Sequence, residues 1–352
     1  MSNSSDQLSE CSSSREGRRA FLKRLAGLGA ILSSGWVGSS ALAGSGRDAR
    51  HTPVLPLRAL GRGGEAVTAL CVGGAHVHSA MSRSEAERFL EEAMEVGVRF
   101  YDTAESYGNG ESEKRFGDFL CRKHRDEIFL MTKTRANTAA EAGRHLEESL
   151  RRMRTDRLDL WQIHALDSRE DVDNRLAGGV LDRLMKEKAS GRVRYIGFTG
   201  HTRYTALLHL LKRLRELGAE MDTCQMPINV VDPSYESFVL HVLPELVNRG
   251  YGVLAMKTLV YGQLFGVRTS WNWARQESPA KVIGSTLSVE EALGFVWSLP
   301  VASLVSGMTN VDELRQNAAL CRRTWAWTEA KRQAIIDRVA NAAGPTMEFY
   351  KA

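Results

Sequence analysis

The feature of the sequence that most constrains its fold is an alternation of short apolar runs with longer amphipathic stretches, repeated eight times. Each short run has five to seven residues, many of them β-branched or aromatic, and is typical of a buried strand. Such an alternation predicts the α/β class with a parallel sheet. The predicted strands are residues 69–73, 99–103, 128–132, 158–164, 193–198, 223–227, 252–256 and 302–306.

The longer stretches carry the spacing of amphipathic helices. In the third of them, Leu146, Leu150 and Met153 recur at intervals of three or four residues. Ser82 or Ser84 is placed to cap the first helix. The predicted helices are residues 83–96, 111–124, 138–154, 175–190, 203–217, 235–248, 288–298 and 310–320.

Eight strand–helix units fit either a closed barrel or an open, doubly wound sheet. The glycines at Gly61, Gly63 and Gly64 precede the first unit and lack the G-x-G-x-x-G spacing of dinucleotide-binding open sheets. The sequence therefore favours a (β/α)8 TIM barrel. Two apolar runs in residues 55–68 predict a β-hairpin that plugs its bottom, and a C-terminal helical extension begins near Trp325.

Composition excludes several other classes of protein. The chain has 352 residues, of which 43% are hydrophobic and 25% charged, so it is not mainly disordered. Its net charge is only +5 with no basic cluster in the body, and we expect no nucleic-acid partner. No C-x-x-C pair supports a zinc or iron–sulfur site. We expect buried free thiols at Cys71, Cys121 and Cys224.

Residues 1–43 have the parts of an export signal in the right order. The paired Arg18 and Arg19 precede a moderately apolar stretch at 25–37, and an A-x-A cleavage pattern follows at 41–43. This segment resembles a twin-arginine (Tat) signal. It predicts export of the folded protein by the Tat machinery to the periplasm, with residues 44–352 as one barrel domain and no stable membrane anchor. The alternative is an amphipathic helix that happens to contain two arginines.

Polar residues end three consecutive predicted strands at the same rim. Asp102, Lys133 and His164 end strands two, three and four, and Tyr107 lies in the loop after strand two. A tyrosine hydroxyl is a weak acid at neutral pH, and a neighbouring buried ammonium lowers its pKa. This set suits carbonyl reduction by hydride, with Tyr107 as the proton donor. Singly, each residue also fits a structural role, such as a buried ion pair or a core histidine.

Two of three longer motifs contain Asp102, Tyr107 and His164. Residues 102–113, 154–164 and 191–198 resemble the three signatures of the aldo-keto reductases. The resemblance spans about residues 55–320. It implies a (β/α)8 barrel that binds NADP(H) across its C-terminal rim, a small-molecule carbonyl or alcohol substrate, and a catalytic tetrad of Asp102, Tyr107, Lys133 and His164.

The resemblance also assigns cofactor-binding residues on strands five to seven. Thr199 and Gln225 match residues that hold the nicotinamide carboxamide, although Gly200 replaces the family's asparagine beside Thr199. Met256 stands where the family often stacks an aromatic residue on the nicotinamide. A thioether can still pack on a ring face.

The loop and helix after strand eight match the adenosine end of the cofactor site. Gly307 lies in the loop, Asn317 matches an adenine-binding asparagine, and Gln316 replaces a common glutamate. Thr309 stands where a basic residue often meets the 2′-phosphate, so Arg315 is the candidate substitute. NADP is the expected cofactor, and NAD is the alternative.

The substrate side is assigned to His76, which follows strand one, and to Trp271 and Trp273 in the long loop after strand seven. His76 and His78 form a His-x-His pair, but two ligands without a third do not predict a metal site. The sequence thus predicts an NAD(P)H-dependent oxidoreductase of aldehydes, ketones or sugars. The alternative is a nicotinamide-binding sensor or partner subunit with vestigial activity.

Overall fold

The computed structural model describes residues 54–267 and 278–352, and the first of these ranges begins with a β-hairpin. Strands β1 (Leu57–Ala59) and β2 (Ala66–Thr68) pair antiparallel, which confirms the predicted hairpin. Gly61 in its turn has a positive φ of 64° and lies against the backbone of Gly250 and Gly252, where a Cβ would clash. The hairpin therefore closes the N-terminal end of the sheet that follows.

Eight parallel strands form a closed barrel, in which each strand pairs with its neighbours in sequence and the last pairs with the first. All eight predicted strands are present, with ends shifted by no more than two residues. They are β3 (Leu70–Gly73), β4 (Phe100–Asp102), β5 (Phe129–Thr134), β6 (Leu158–Leu166), β7 (Val193–Gly200), β8 (Thr223–Pro227), β9 (Gly252–Met256) and β10 (Ser303–Ser306).

The barrel is surrounded by helices, most of which follow a strand. Ser82 and Ser288 each cap a helix through a reciprocal capping box. The helices are α1 (Ala75–Ser79), α2 (Arg83–Glu95), α3 (Glu111–Phe116), α4 (Ala139–Met153), α5 (Arg169–Ala177), α6 (Val180–Ala189), α7 (Tyr204–Glu216), α8 (Phe238–His241), α9 (Leu243–Asn248), α10 (Val289–Trp297), α11 (Val311–Cys321) and α12 (Glu329–Val339).

Three helix predictions need correction. The helix predicted at 175–190 is two helices, α5 and α6, because Gly178 and Gly179 interrupt it. The helix predicted at 235–248 is likewise divided into α8 and α9 at Val242. The short helix α1 was not predicted, and the stretch after α3 continues through a π-helical turn at Gly117–Cys121 into Arg122–His124.

The core has two layers. The barrel interior is filled by side chains from the strands together with Leu60 and Val67 of the hairpin, which confirms that the hairpin plugs the barrel. The larger cluster lies between the strands and the surrounding helices. Cys71, Cys121 and Cys224 are buried free thiols, as predicted, and so is Cys321.

The C-terminal extension packs back on the barrel. Helix α12 is followed by a tail whose last residues, Glu348, Tyr350 and Lys351, are buried. Within the described ranges, no helix combines the length and apolarity needed to cross a membrane. The predicted signal at 1–43 lies outside the described residues.

Candidate active site

The strands β4, β5 and β6 end at the C-terminal rim of the barrel. The parallel register pairs Asp102 with Met131 and Lys133 with Gln162, so Lys133 and His164 each lie two residues further along their strand than these partners. Barrel enzymes carry their chemistry at this rim. The structure brings Asp102, Lys133, His164 and Tyr107 together there.

Lys133 is the centre of this group. Its Nζ donates hydrogen bonds to a carboxylate oxygen of Asp102, to the carbonyl of Thr103 at 2.8 Å and to the hydroxyl of Tyr107 at 3.3 Å. The Lys133 and Asp102 side chains are only 1% and 3% exposed. Burial acts to lower the pKa of Lys133, but attraction to Asp102 and Tyr107 outweighs it and raises that pKa. Lys133 is therefore held as an ammonium.

Tyr107 corrects one expectation from the sequence. Lys133 does act to lower the pKa of the Tyr107 hydroxyl, but the loss of surrounding water is the larger effect and raises this pKa to about 12. The net shift is therefore upward. A hydroxyl with this pKa is protonated at every ordinary pH, which is the state that a proton donor requires.

An irregularity in strand β6 sets the orientation of His164. The register of β6 against β7 shifts between Ile163 and Leu166, and Ala165 has a positive φ of 57°. The imidazole ring is 5.8 Å from that of Tyr107, and its Nδ1 is 3.4 Å from the Ser106 hydroxyl. Burial and then the nearby cations hold the pKa of His164 well below its ordinary value. The ring is therefore neutral.

The predicted carboxamide-binding residues lie under this group. Gln225 donates to the second oxygen of Asp102 at 3.2 Å and accepts from Gln162 at 3.1 Å, so it is linked to the tetrad. The hydroxyl of Thr199 accepts from the amide of Ala165 at 2.7 Å. Met256 lies at the end of β9 and packs in the barrel interior.

The adenosine-end candidates lie along β10 and α11. Gly307 approaches His76 so closely that a Cβ there would overlap the imidazole ring. Asn317 is buried and donates to Ser306 at 3.0 Å, whereas Gln316 is exposed. The backbone and hydroxyl of Thr309 donate to Glu313, which closes the start of α11.

Arg315 is held by a partner that the sequence did not indicate. Its guanidinium binds the carboxylate of Glu92 through two hydrogen bonds of 2.7 and 3.0 Å. Both residues line a groove of about 480 Å³ between α2 and α11, together with Arg88 and Thr309. The charge of Arg315 is thus already neutralised in this structure.

The substrate-side candidates divide into two groups. His76 and His78 lie on α1 at the rim, against Gly307 and Gly108 respectively, and burial lowers the pKa of both. Trp271 and Trp273 fall outside the described residues. Among the residues that the structure places, no cluster of His, Cys, Asp and Glu is suited to hold a metal ion.

Four residues at this rim were missed by the sequence reasoning. The ring of His201, after β7, lies 5.7 Å from that of His164. Lys257, after β9, donates to the Tyr261 hydroxyl at 2.6 Å. Arg135 follows β5 beside His164. Their positions in the sequence could have identified them, because each of these residues follows the end of a barrel strand by one to five places.

The segment after β9 has an unusual backbone. Lys257, Val260 and Tyr261 all have positive φ, at 57°, 53° and 54°. This conformation is costly for side chains other than glycine, and for a β-branched valine in particular. Strain of this kind is retained where the surrounding structure imposes it, often at ligand sites.

Comparisons with known proteins agree with the fold and identify a family. A model of the Aldo/keto reductase family matches residues 69–333. The chain is 25% identical over 320 residues to L-galactose dehydrogenase from Arabidopsis thaliana, covering 83% of this chain and 98% of the relative. It is 35% identical over 167 residues to D-threo-aldose 1-dehydrogenase from a Pseudomonas species, covering 38% of this chain and 50% of the relative.

A solved structure has the same fold. Aldo-keto reductase AKR11C1 from Bacillus halodurans, in its holo form, superposes with a TM-score of 0.68 at 21% identity, covering 84% of this chain and 99% of that one. The closed barrel and its polar rim define an oxidoreductase of the barrel type. The chain belongs to the aldo/keto reductase family.

The rim offers unsatisfied polar groups on the half where the family resemblance places its dinucleotide. Among the described residues, the Thr258 hydroxyl, both amide atoms of Gln263 and Nδ1 of His201 are buried without a hydrogen-bond partner. Buried polar groups normally have partners. Their grouping after β7 and β9 fits a polar ligand such as a nicotinamide dinucleotide.

Proposed function

We propose that the protein reduces an aldehyde, ketone or sugar carbonyl to an alcohol, or catalyses the reverse reaction, by hydride transfer with NADP(H). The observation that carries this proposal is the geometry of Lys133, whose ammonium joins the buried Asp102 to the hydroxyl of Tyr107. The names of the relatives above, a galactose and an aldose dehydrogenase, support sugars among the substrates.

The residues of the tetrad have distinct tasks. Bound nicotinamide supplies or accepts the hydride. The neutral His164 and the Tyr107 hydroxyl bind the carbonyl oxygen, and Tyr107 gives it a proton as negative charge develops there. Lys133 stabilises the phenolate that remains, and Asp102 keeps Lys133 charged within the barrel.

We propose that Gln225 and Thr199 hold the carboxamide of the cofactor, with Met256 against its ring. Thr258, Gln263 and His201 would satisfy their unpartnered atoms on the same ligand. For NADP, Arg315 would have to exchange Glu92 for the 2′-phosphate. The Glu92→Gln variant tests this, because freeing Arg315 should tighten NADPH binding and leave NADH binding unchanged in a fluorescence titration.

The test of function is turnover by Tyr107→Phe. We expect this variant to bind the cofactor like the unchanged protein and to lose about 10²–10⁴-fold in kcat with any carbonyl substrate. Unchanged turnover would overturn the proposed mechanism. If neither protein turns over a broad carbonyl panel while both bind the cofactor, the sensor alternative is favoured, for which the departures at Gly200, Met256 and Thr309 are the supporting observations.

We also propose that residues 1–43 direct export by the Tat pathway to the periplasm. The support is the paired Arg18 and Arg19 ahead of an apolar stretch and a cleavage pattern. Replacing both arginines by lysine should retain the full-length chain in the cytoplasm, as measured by cell fractionation. Export that persists after this change, or that needs no Tat machinery, would contradict the proposal.

A further inference from the structure

Four cations act on the buried His164, and two of them lack a carboxylate partner. Lys133 is neutralised by Asp102, and Arg175 binds Asp171 at 2.7 Å. Lys257 and Arg135 make no ion pair with any residue in 54–267 or 278–352, although the charges of both act to lower the pKa of His164. The rim therefore carries two positive charges that nothing in the described chain balances.

The barrel register places Arg135 beside His164. Thr134 pairs with Ile163 across β5 and β6, so the next residue of each strand lies at the same height. Side chains alternate between the two faces of a strand. Lys133 points inward to Asp102, and Thr134 points outward to His145 of α4, so Arg135 continues on the inward side.

The backbone of Arg135 is fixed where it leaves the strand. Its amide donates to the carboxylate of Glu105 at 2.8 Å, and the following amide, that of Ala136, donates to the Thr134 hydroxyl at 3.2 Å. Glu105 thus contacts the backbone of Arg135, and no ion pair joins its carboxylate to the guanidinium. Arg135 is an exposed residue.

The two unpaired cations lie on different halves of the rim. Lys257 follows β9, among the strands β7 to β10 that carry the proposed cofactor residues. Arg135 follows β5, which lies between the strands that lead to Tyr107 and His164 and opposite β9 in the barrel. The proposed cofactor residues all follow or lie on β7 to β10, so Arg135 lies apart from them and is available to a different anion.

We propose that Arg135 binds an anionic group of the substrate, a carboxylate or a phosphate, so that the preferred substrates are anionic aldehydes or ketones. This inference rests on the proposed function and names its substrate class. A guanidinium binds either anion through paired hydrogen bonds. One charge-assisted contact is worth about 1.5–3 kcal/mol, which corresponds to about 10–150-fold in kcat/KM.

The test compares matched substrates with and without an anionic group. We would measure kcat/KM for 4-carboxybenzaldehyde and its methyl ester, and for glyceraldehyde 3-phosphate and glyceraldehyde. The unchanged protein should prefer at least one anion by about 10–100-fold, and salt should weaken the preference. The two pairs separate a carboxylate preference from a phosphate preference.

Three variants test whether Arg135 is the source of the preference for anionic substrates. Arg135→Met should remove the preference through a higher KM for the anionic substrate, and Arg135→Lys should restore part of it. Arg122→Met, which removes an exposed arginine from the outer surface, should retain the full preference. An unchanged protein without a preference, or an Arg135→Met variant that keeps it, would overturn the inference.

A binding measurement separates this inference from the proposed function. Calorimetry with 4-(hydroxymethyl)benzoate and NADPH, an alcohol with a reduced cofactor that cannot exchange a hydride, reports anion binding without turnover, and Arg135→Met should weaken it by about 10-fold or more. If neither aldehyde is reduced but this binding difference persists, the proposed reaction fails and the anion site stands. If Arg135→Met instead weakens NADPH and affects acid and ester equally, Arg135 belongs to the cofactor and the inference fails.

Discussion

Within residues 54–267 and 278–352, two buried clusters are built around a lysine, one around Lys133 and one around Lys351. Lys133 donates to Asp102, to the Thr103 carbonyl and to the Tyr107 hydroxyl. In the C-terminal tail, Lys351 contacts Asp232 and Glu348 at 2.7 Å each and donates to the Tyr235 carbonyl at 2.7 Å. Both lysines are almost completely buried.

The clusters differ in how completely their tyrosine is satisfied. Tyr350 donates to Glu348 and accepts from Asn229, both at 3.0 Å. Tyr107 accepts from Lys133 and is partly exposed, so its proton is available to a ligand. A buried lysine with a carboxylate and a tyrosine is therefore not a catalytic site in itself. What distinguishes the Lys133 cluster is that the Tyr107 hydroxyl can still donate its proton to a ligand.

The largest expected effect is a difference in kcat between variants of the two lysines. Lys133→Met should lower kcat by about 10²–10⁴-fold, because Tyr107 loses the ammonium that stabilises its phenolate. Lys351→Met should change kcat by less than about 10-fold below its melting temperature, since its cluster contains none of the tetrad residues. Steady-state kinetics with saturating cofactor measure both. Equal losses would show that the clusters act as one unit.

The second prediction concerns the free energy of unfolding. Lys351→Met leaves Asp232 and Glu348 buried without their cation, and removing one partner of such a pair costs about 3–5 kcal/mol. Denaturant unfolding of the chain measures this loss. The control is Lys212→Met, which removes an exposed pair with Glu216 and should cost about 1 kcal/mol or less. A similar cost for both variants would show that the tail cluster stabilises the fold no more than an exposed ion pair does.

The third prediction uses the unequal charge balance of the clusters. One ammonium faces two carboxylates in the tail, and burial, followed by the charge of Asp232, raises the pKa of Glu348 to about 7 despite Lys351. In the unfolded chain this carboxyl loses its proton near its ordinary pKa of 4.5. The folded state binds more protons between these values, so the free energy of unfolding should fall as pH rises through them.

The size of this fall is about 3 kcal/mol at most, from a pKa difference of about 2.5 units. Glu348→Gln should remove this part of the pH dependence in urea unfolding measured from pH 4.5 to pH 8. Glu216→Gln, a change at an exposed carboxylate, should leave the slope in place. If the pH dependence of the unfolding free energy were unaltered in Glu348→Gln, it would arise from a group other than Glu348.

The barrel and the tetrad were predictable because both depend on local pattern. Each strand is a short apolar run followed by its own helix, and Asp102, Lys133 and His164 each end such a run. The parallel register then brings them together without further information. The hairpin plug was predictable for the same reason, since its two strands are adjacent in sequence.

The remaining features depend on contacts between distant parts of the chain. Lys351 meets Asp232 across 119 positions, and Arg315 meets Glu92 across 223, so neither pairing has a local signal. The direction of the Tyr107 shift was also beyond the sequence. Lys133 and burial act in opposite senses on this pKa, and their balance depends on how much water surrounds the hydroxyl.

The smallest expected effect removes a hydroxyl from each cluster. Tyr350→Phe deletes two hydrogen bonds of the buried cluster, one to Glu348 and one from Asn229, so it should cost about 1–3 kcal/mol of unfolding free energy. Tyr107→Phe should cost less than about 1 kcal/mol, because Lys133 keeps Asp102 and the Thr103 carbonyl. The same pair should show the reverse order in kcat. If Tyr107→Phe proved the more destabilising change, its hydroxyl would be a structural group, and the contrast between an open and a closed cluster would not hold.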